Sequence, residues 1–101
     1  MPKGAEDRKQ RKREEAAQRN RLTPLRNEIA RLEKEVARLE IQRATIDAAL
    51  SVDTIYLESS KARLLELLAS QATNKRDLDA AETAWLEAHE RLEAESAAKL
   101  A

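Results

Sequence analysis

Six consecutive residues, Arg8-Lys9-Gln10-Arg11-Lys12-Arg13, carry five cations, and Arg19 and Arg21 extend the cluster toward the middle of the chain. Guanidinium and ammonium groups at this density attract phosphate oxygens, and each contact with a nucleic-acid backbone releases condensed counterions. The chemistry indicated is polyanion binding along one face of a helix, without reading of base identity. A solvated linker whose charge only aids solubility is the competing reading. The cluster abuts a segment patterned to fold, and that weighs toward binding.

Catalytic chemistry finds little support. Gly4 is the only glycine, so no glycine-rich phosphate loop can form. His89 is the only histidine and lies in a predicted charged helix, with no cleft in which a Ser–His–Asp site could converge. Absence of Cys excludes disulfides, thiolate zinc sites and a cysteine nucleophile. Glu82, Glu87, Glu90, Glu93 and Glu95 read as a solvated face, since paired catalytic acids need an enclosed site to separate their pKa values. The expectation is a chain with no enzymatic activity, metal or cofactor of its own.

The elements that must position the basic cluster are helical. Apolar residues make up 42% of the 101 positions, yet only Tyr56 and Trp85 are aromatic, so Leu, Ala, Ile and Val must supply the buried surface. Such a composition, rich in charge and poor in Gly and Pro, marks long helices that fill a narrow seam. From Leu25 the seam steps through Ile29, Leu32, Val36, Leu39, Arg43, Ile46 and Leu50, alternating four and three residues as a heptad requires. Glu28–Arg31 and Glu35–Arg38 should pair along its flank. Thr23-Pro24 has the form of an N-cap followed by proline in the first helical position. A second stripe runs through Ser60, Leu64, Leu67, Gln71, Asn74, Leu78, Ala81, Trp85, Ala88 and Leu92, overlapped by another through Leu57, Leu64, Leu68, Gln71, Leu78 and Trp85.

Two heptad helices joined by a short link fold back antiparallel. The predicted fold is therefore all-α, a two-helix antiparallel coiled-coil hairpin with a basic N-terminal extension. Its expected parts are a basic linker at 1–21, partly helical or disordered, a hairpin at 22–96, and a tail at 97–101. Within the hairpin, one helix spans 24–50, a tip 51–59 and the return helix 60–95. A closure near Asp53 would set Arg43 opposite Leu64, Ile29 opposite Leu78 and Leu22 opposite Trp85. Trp85 then anchors the open end of the hairpin, in preference to stacking on bases, and Tyr56 packs at the tip against Leu50. Arg43, Gln71 and Asn74 are the polar members of the seam. Each either helps fix the register or reaches past the seam to water.

Zero net charge conceals an uneven distribution. Residues 1–21 hold eight basic and four acidic side chains, net +4, whereas 51–101 hold six and ten, net −4. No apolar run approaches the roughly 18 residues that cross a bilayer, and the basic N-terminus lacks the apolar stretch of a secretory signal. A cytoplasmic protein without membrane contact is expected.

The order of landmarks then carries a resemblance. The run Thr23-Pro24-Leu25-Arg26-Asn27-Glu28-Ile29-Ala30-Arg31-Leu32-Glu33, the Ile55-Tyr56 at the end of the link, and Ala84-Trp85-Leu86-Glu87-Ala88 late in the return helix are together similar to the C-terminal coiled-coil domain of ABC-F ATPases of the Uup and YheS type. That resemblance implies two upstream ATP-binding cassettes, with ATP and Mg bound there and not in this chain. It also implies a role on the ribosome or on DNA. The nucleic-acid-binding residues expected are Arg8, Lys9, Arg11, Lys12, Arg13, Arg19 and Arg21, with Pro24, Tyr56 and Trp85 structural, the ligand being DNA or ribosomal RNA and the hairpin monomeric. The acidic return helix departs from a surface that would bind with both helices.

Two other readings compete. A purely structural or protein-docking coiled coil would leave the basic cluster without a ligand. A basic-zipper DNA-binding dimer is suggested by Leu25, Leu32, Leu39 and Ile46 recurring every seven residues behind a basic region. Pro24 interrupts the continuous helix that class requires, and the second stripe would have no role.

Overall fold

The computed structural model describes residues 3–100. The first two positions of the expected extension and the last of the expected tail lie outside them. Helix α1 spans Lys3–Leu50 and helix α2 spans Lys61–Leu100. Between them lie two short 3-10 turns, Asp53–Tyr56 and Glu58–Ser60. The two helices lie against each other along an all-α hairpin of 86 × 18 × 15 Å.

The seam is the one the heptad spacing marks. Leu25, Ile29, Leu32, Leu39 and Ile46 of α1 are buried, Val36 and Leu50 are half-buried, and Arg43 is exposed. On α2, Leu67, Asn74, Leu78, Ala81 and Ala88 are buried, which decides between the two overlapping stripes. Leu57 and Leu68 of the alternative stripe are exposed. Leu39 is only 1% exposed, and with Leu78, Ala81 and Val36 it forms the central cluster. A second cluster joins Ile29 and Leu32 to Ala84, Trp85, Ala88 and Leu92.

These clusters correct the expected register. Ile29 meets Ala88 and not Leu78, while Leu39 meets Leu78 and not Leu67 or Leu68. Facing residue numbers are thus offset by about ten from a closure at Asp53, or roughly three turns, a slide that leaves both stripes facing each other. Bulky Leu and Ile from α1 sit over the small Ala81 and Ala88 of α2, which lets the helices interdigitate. Asn74 locks the choice. Only 3% exposed, it donates through Nδ2 to the Leu39 carbonyl at 2.9 Å and to Gln42 Oε1 at 2.9 Å, so its buried amide is satisfied across the seam. Gln71 instead is exposed, and Arg43 points outward with Nε 3.8 Å from Asp47 Oδ2.

The tip runs from Ser51 to Ser60, one residue longer than the expected 51–59. Ser51 donates its hydroxyl to the Asp47 carbonyl, and Leu57 takes an extended conformation between the two 3-10 turns. Ile55 is buried where the first turn packs on α2. Tyr56 donates its hydroxyl to the Leu50 carbonyl at 2.7 Å, satisfying one of the last acceptors of α1 while its ring stays 64% exposed.

At the other end, α1 does not start at Pro24. It runs through Pro24 without interruption. Thr23, expected as an N-cap, donates Oγ1 to the Arg19 carbonyl at 2.7 Å, the bond of a threonine inside a helix, whereas a cap would accept from amides further on. The residues upstream are mostly Ala, Gln, Glu, Lys and Arg, strong helix formers that carry the helix past the one hydrogen bond proline cannot make.

Candidate nucleic-acid interface

The register fixes what the basic residues can reach. The end of α2 lies beside the middle of α1, with Glu95 and Ala98 sharing a shallow groove with Glu14, Ala17, Gln18 and Arg21. Helix α1 therefore continues beyond α2 as a lone overhang from Lys3 to about Arg13, roughly 16 Å at 1.5 Å per residue. Tracing the heptad backward from Leu25 and Leu22 gives Gln18, Glu15, Arg11, Arg8 and Gly4. The seam turns polar along this stretch, and Gly4 and residues 6–13 are exposed.

The seven candidate residues divide accordingly. Arg8, Lys9, Arg11, Lys12 and Arg13 are all exposed and all on the overhang. At 100° per residue, Arg8, Lys12 and Arg19 fall on one side, Lys9 and Arg13 on the next, and Arg11 on the opposite flank, so cations cover roughly 200° of the circumference. Arg19 and Arg21 stand level with the end of α2. Arg21 hydrogen-bonds Gln18 and shares its groove with Glu95, which lessens its pull on an external phosphate. Arg8 donates Nε to the Gly4 carbonyl at 3.3 Å and remains exposed. The structure thus sets five of the seven on the stretch of α1 before the groove, leaves Arg19 exposed on the same side as Arg8 and Lys12, and places Arg21 beside Glu95 of the acidic return.

Trp85 is not at the open end opposite Leu22, as a closure near Asp53 required. It packs on the Ile29–Leu32–Ala88 cluster, and its Nε1–H donates to Glu33 Oε1 at 3.2 Å. The His89 ring meets the indole edge-on with centroids 4.3 Å apart, and His89 Nε2 lies 4.0 Å from the same Glu33 oxygen. This cross-helix group of Glu33, Trp85 and His89 was not legible as a unit in the sequence, because it depends on the register. The expected flank pairs are present: Arg38 binds Glu35 at 2.6 Å, and Arg31 lies 4.0 Å from Glu28. The Arg38 hydrogen bond holds the Glu35 carboxyl below the ordinary glutamate range; desolvation opposes it, and the charges of Arg38 and Arg31 add to the lowering.

Among the described residues no cluster of His, Asp or Glu has the geometry of a metal site, and no helix is long and apolar enough to cross a membrane. No family model matches the chain, and no solved structure matches it.

A long hairpin with a Pro24–Tyr56–Trp85 frame and a basic lead-in is what the resemblance to ABC-F proteins anticipates, and the comparison with curated proteins bears that kinship out: the chain is related to an ABC-F ATP-binding protein. The relative is the probable ATP-binding protein YheS of Escherichia coli K12, 52% identical over 89 residues, or 88% of this chain. Its counterpart in Escherichia coli O157:H7 matches equally. The chain spans only 14% of the length of these relatives, consistent with one terminal domain of such a protein.

Proposed function

We propose that this chain is the non-catalytic C-terminal domain of a cytoplasmic ABC-F ATPase and that it holds nucleic-acid backbone through the basic overhang of α1. The observation that carries the reading is geometric: five cations stand exposed on one stretch of α1, and among the described residues none of α2 packs beside them. A helix 10–12 Å across with charge on both flanks can lie in or along a groove and meet phosphates on either wall. The acidic α2 keeps the rest of the hairpin off the polyanion, so the domain meets its ligand end-on. Residues 1–21 act as the link to the remainder of the protein, where ATP and Mg would bind; DNA and ribosomal RNA, the latter within the ribosome, are the ligands this surface suits.

Salt-titrated binding of the chain to a DNA duplex and to a ribosomal RNA helix tests the assignment. Replacing Arg11, Lys12 and Arg13 together by Ala should weaken binding about tenfold or more near physiological salt and lower the log–log salt slope by roughly two to three. The thermal unfolding of the hairpin should not change, because none of the three touches the seam. Affinity that survives the triple substitution refutes the assignment.

A further inference from the structure

We propose that the groove formed by Trp85 and Leu86 of α2 with Val36 of α1 is a docking site for an arginine-bearing apolar segment of a partner protein. Glu33 and Glu82 flank it from opposite helices. Leu86 is 53% exposed although it sits on a helix of ordinary polar surface, and Val36 and Trp85 are half-buried at the edge of the seam. The groove is preformed. The indole cannot swing away, because its Nε1–H is tied to Glu33 and the His89 ring braces it from the side. A fixed aromatic wall lowers the ordering cost of whatever binds there.

Charge identifies the occupant. Glu33 accepts the neutral indole N–H on Oε1, with His89 Nε2 4.0 Å from the same oxygen, and keeps acceptor sites on its second oxygen, while among the described residues Glu82 makes no ion pair or hydrogen bond. Two carboxylates lining one groove with an indole repel phosphates and attract a planar cation, which can pair with a carboxylate and lie against the ring. Leu86 and Val36 add apolar surface for the residues beside that cation. An arginine flanked by aliphatic side chains meets all three demands. This site lies on the shaft, apart from the basic overhang, and stands whether or not the overhang binds nucleic acid.

Trp85 is the only tryptophan, so its emission reports on the groove alone. The probe is an Ala/Gln helical peptide with one Arg between two Leu, titrated into the full chain beside the same peptide with citrulline replacing Arg. The Arg peptide should change Trp85 emission saturably, and the citrulline peptide should bind about fivefold or more weakly, since a charge-assisted pair is lost. Glu82→Gln and Leu86→Ser, both surface changes, should each weaken the Arg peptide by about threefold or more. Glu33→Gln, which keeps an acceptor for the indole, should do the same, while Glu66→Gln near the tip should have no effect. Helix content by circular dichroism should be unaltered in every variant. Equal binding of the two peptides, or indifference to Glu82→Gln, overturns the proposal. So does a Trp85 response to duplex DNA, which would make the groove part of a nucleic-acid surface. A Trp85 response to the chain's own concentration, with dimers in sedimentation, would name a second copy as the occupant and equally overturn it.

Discussion

The shaft from Leu22 to Leu92 and the overhang from Lys3 to about Arg13 belong partly to the same helix, yet different physics holds them. In the shaft, each apolar residue that faces α2 leaves water, and burial of a Leu or Ile contributes roughly 1.5–3 kcal/mol. On the overhang nothing is buried against a partner, and helix propensity with local bonds such as Gln10 to Glu14 must hold the turns. Lone helices of such length are marginal in water. A segment that does not pack against α2 can carry cations at positions where the shaft needs Leu or Ile.

Substitutions can break this contrast, beginning with the largest effect. Leu39→Ala empties the most buried position and should cost about 3 kcal/mol, lowering the Tm by roughly 10 °C or more, whereas Arg11→Ala should leave it unchanged; thermal circular dichroism separates them. Asn74→Ala removes the bonds to the Leu39 carbonyl and to Gln42 Oε1 across the seam and should cost about 1–2 kcal/mol. It should also loosen the register: a cysteine pair at Val36 and Ala81 crosslinks readily in the parent and less efficiently beside Asn74→Ala, while a pair at Leu22 and Trp85 should not crosslink at all. Pro24→Ala restores an amide donor where overhang and shaft join. It should add about 1 kcal/mol to that segment, read as slower amide exchange around residues 20–24.

The smallest effect is electrostatic. Because Arg38 lowers the Glu35 carboxyl, the folded state favours the ionised form. The pair's contribution is therefore present above the ordinary glutamate value and disappears as pH falls through the lowered one. Titration of side-chain carbons by NMR should place the Glu35 midpoint below those of the exposed glutamates, and Arg38→Gln should return it to the ordinary range.

Much of the shaft was legible because a heptad seam is a repeating signal. Leu25, Ile29, Leu32, Leu39 and Ile46 announced themselves by spacing alone, as did the outward turn of Arg43 and the flank pairs. The register was not legible for the same reason. A pattern that repeats every half-heptad looks alike after a slide of one or more turns, and only the fit of Ala81 and Ala88 under Leu and Ile, with Asn74 reaching the Leu39 carbonyl, selects among the slides. Every misplacement of Trp85 followed from that ambiguity. Thr23-Pro24 misled in another way: its local pattern is shared by helix starts and by helices that tolerate a proline, and the upstream propensities decided. The basic candidates were plain as a cluster, but the placing of Arg21 beside Glu95 of α2 required the register.

Continuity of Lys3–Leu50 has a mechanical consequence. A single helix of that span is a lever of about 70 Å, and a swing of about ten degrees at its first turns carries the Tyr56 tip through roughly 12 Å. A partner holding those first turns would thus steer a distant point without any change inside the shaft.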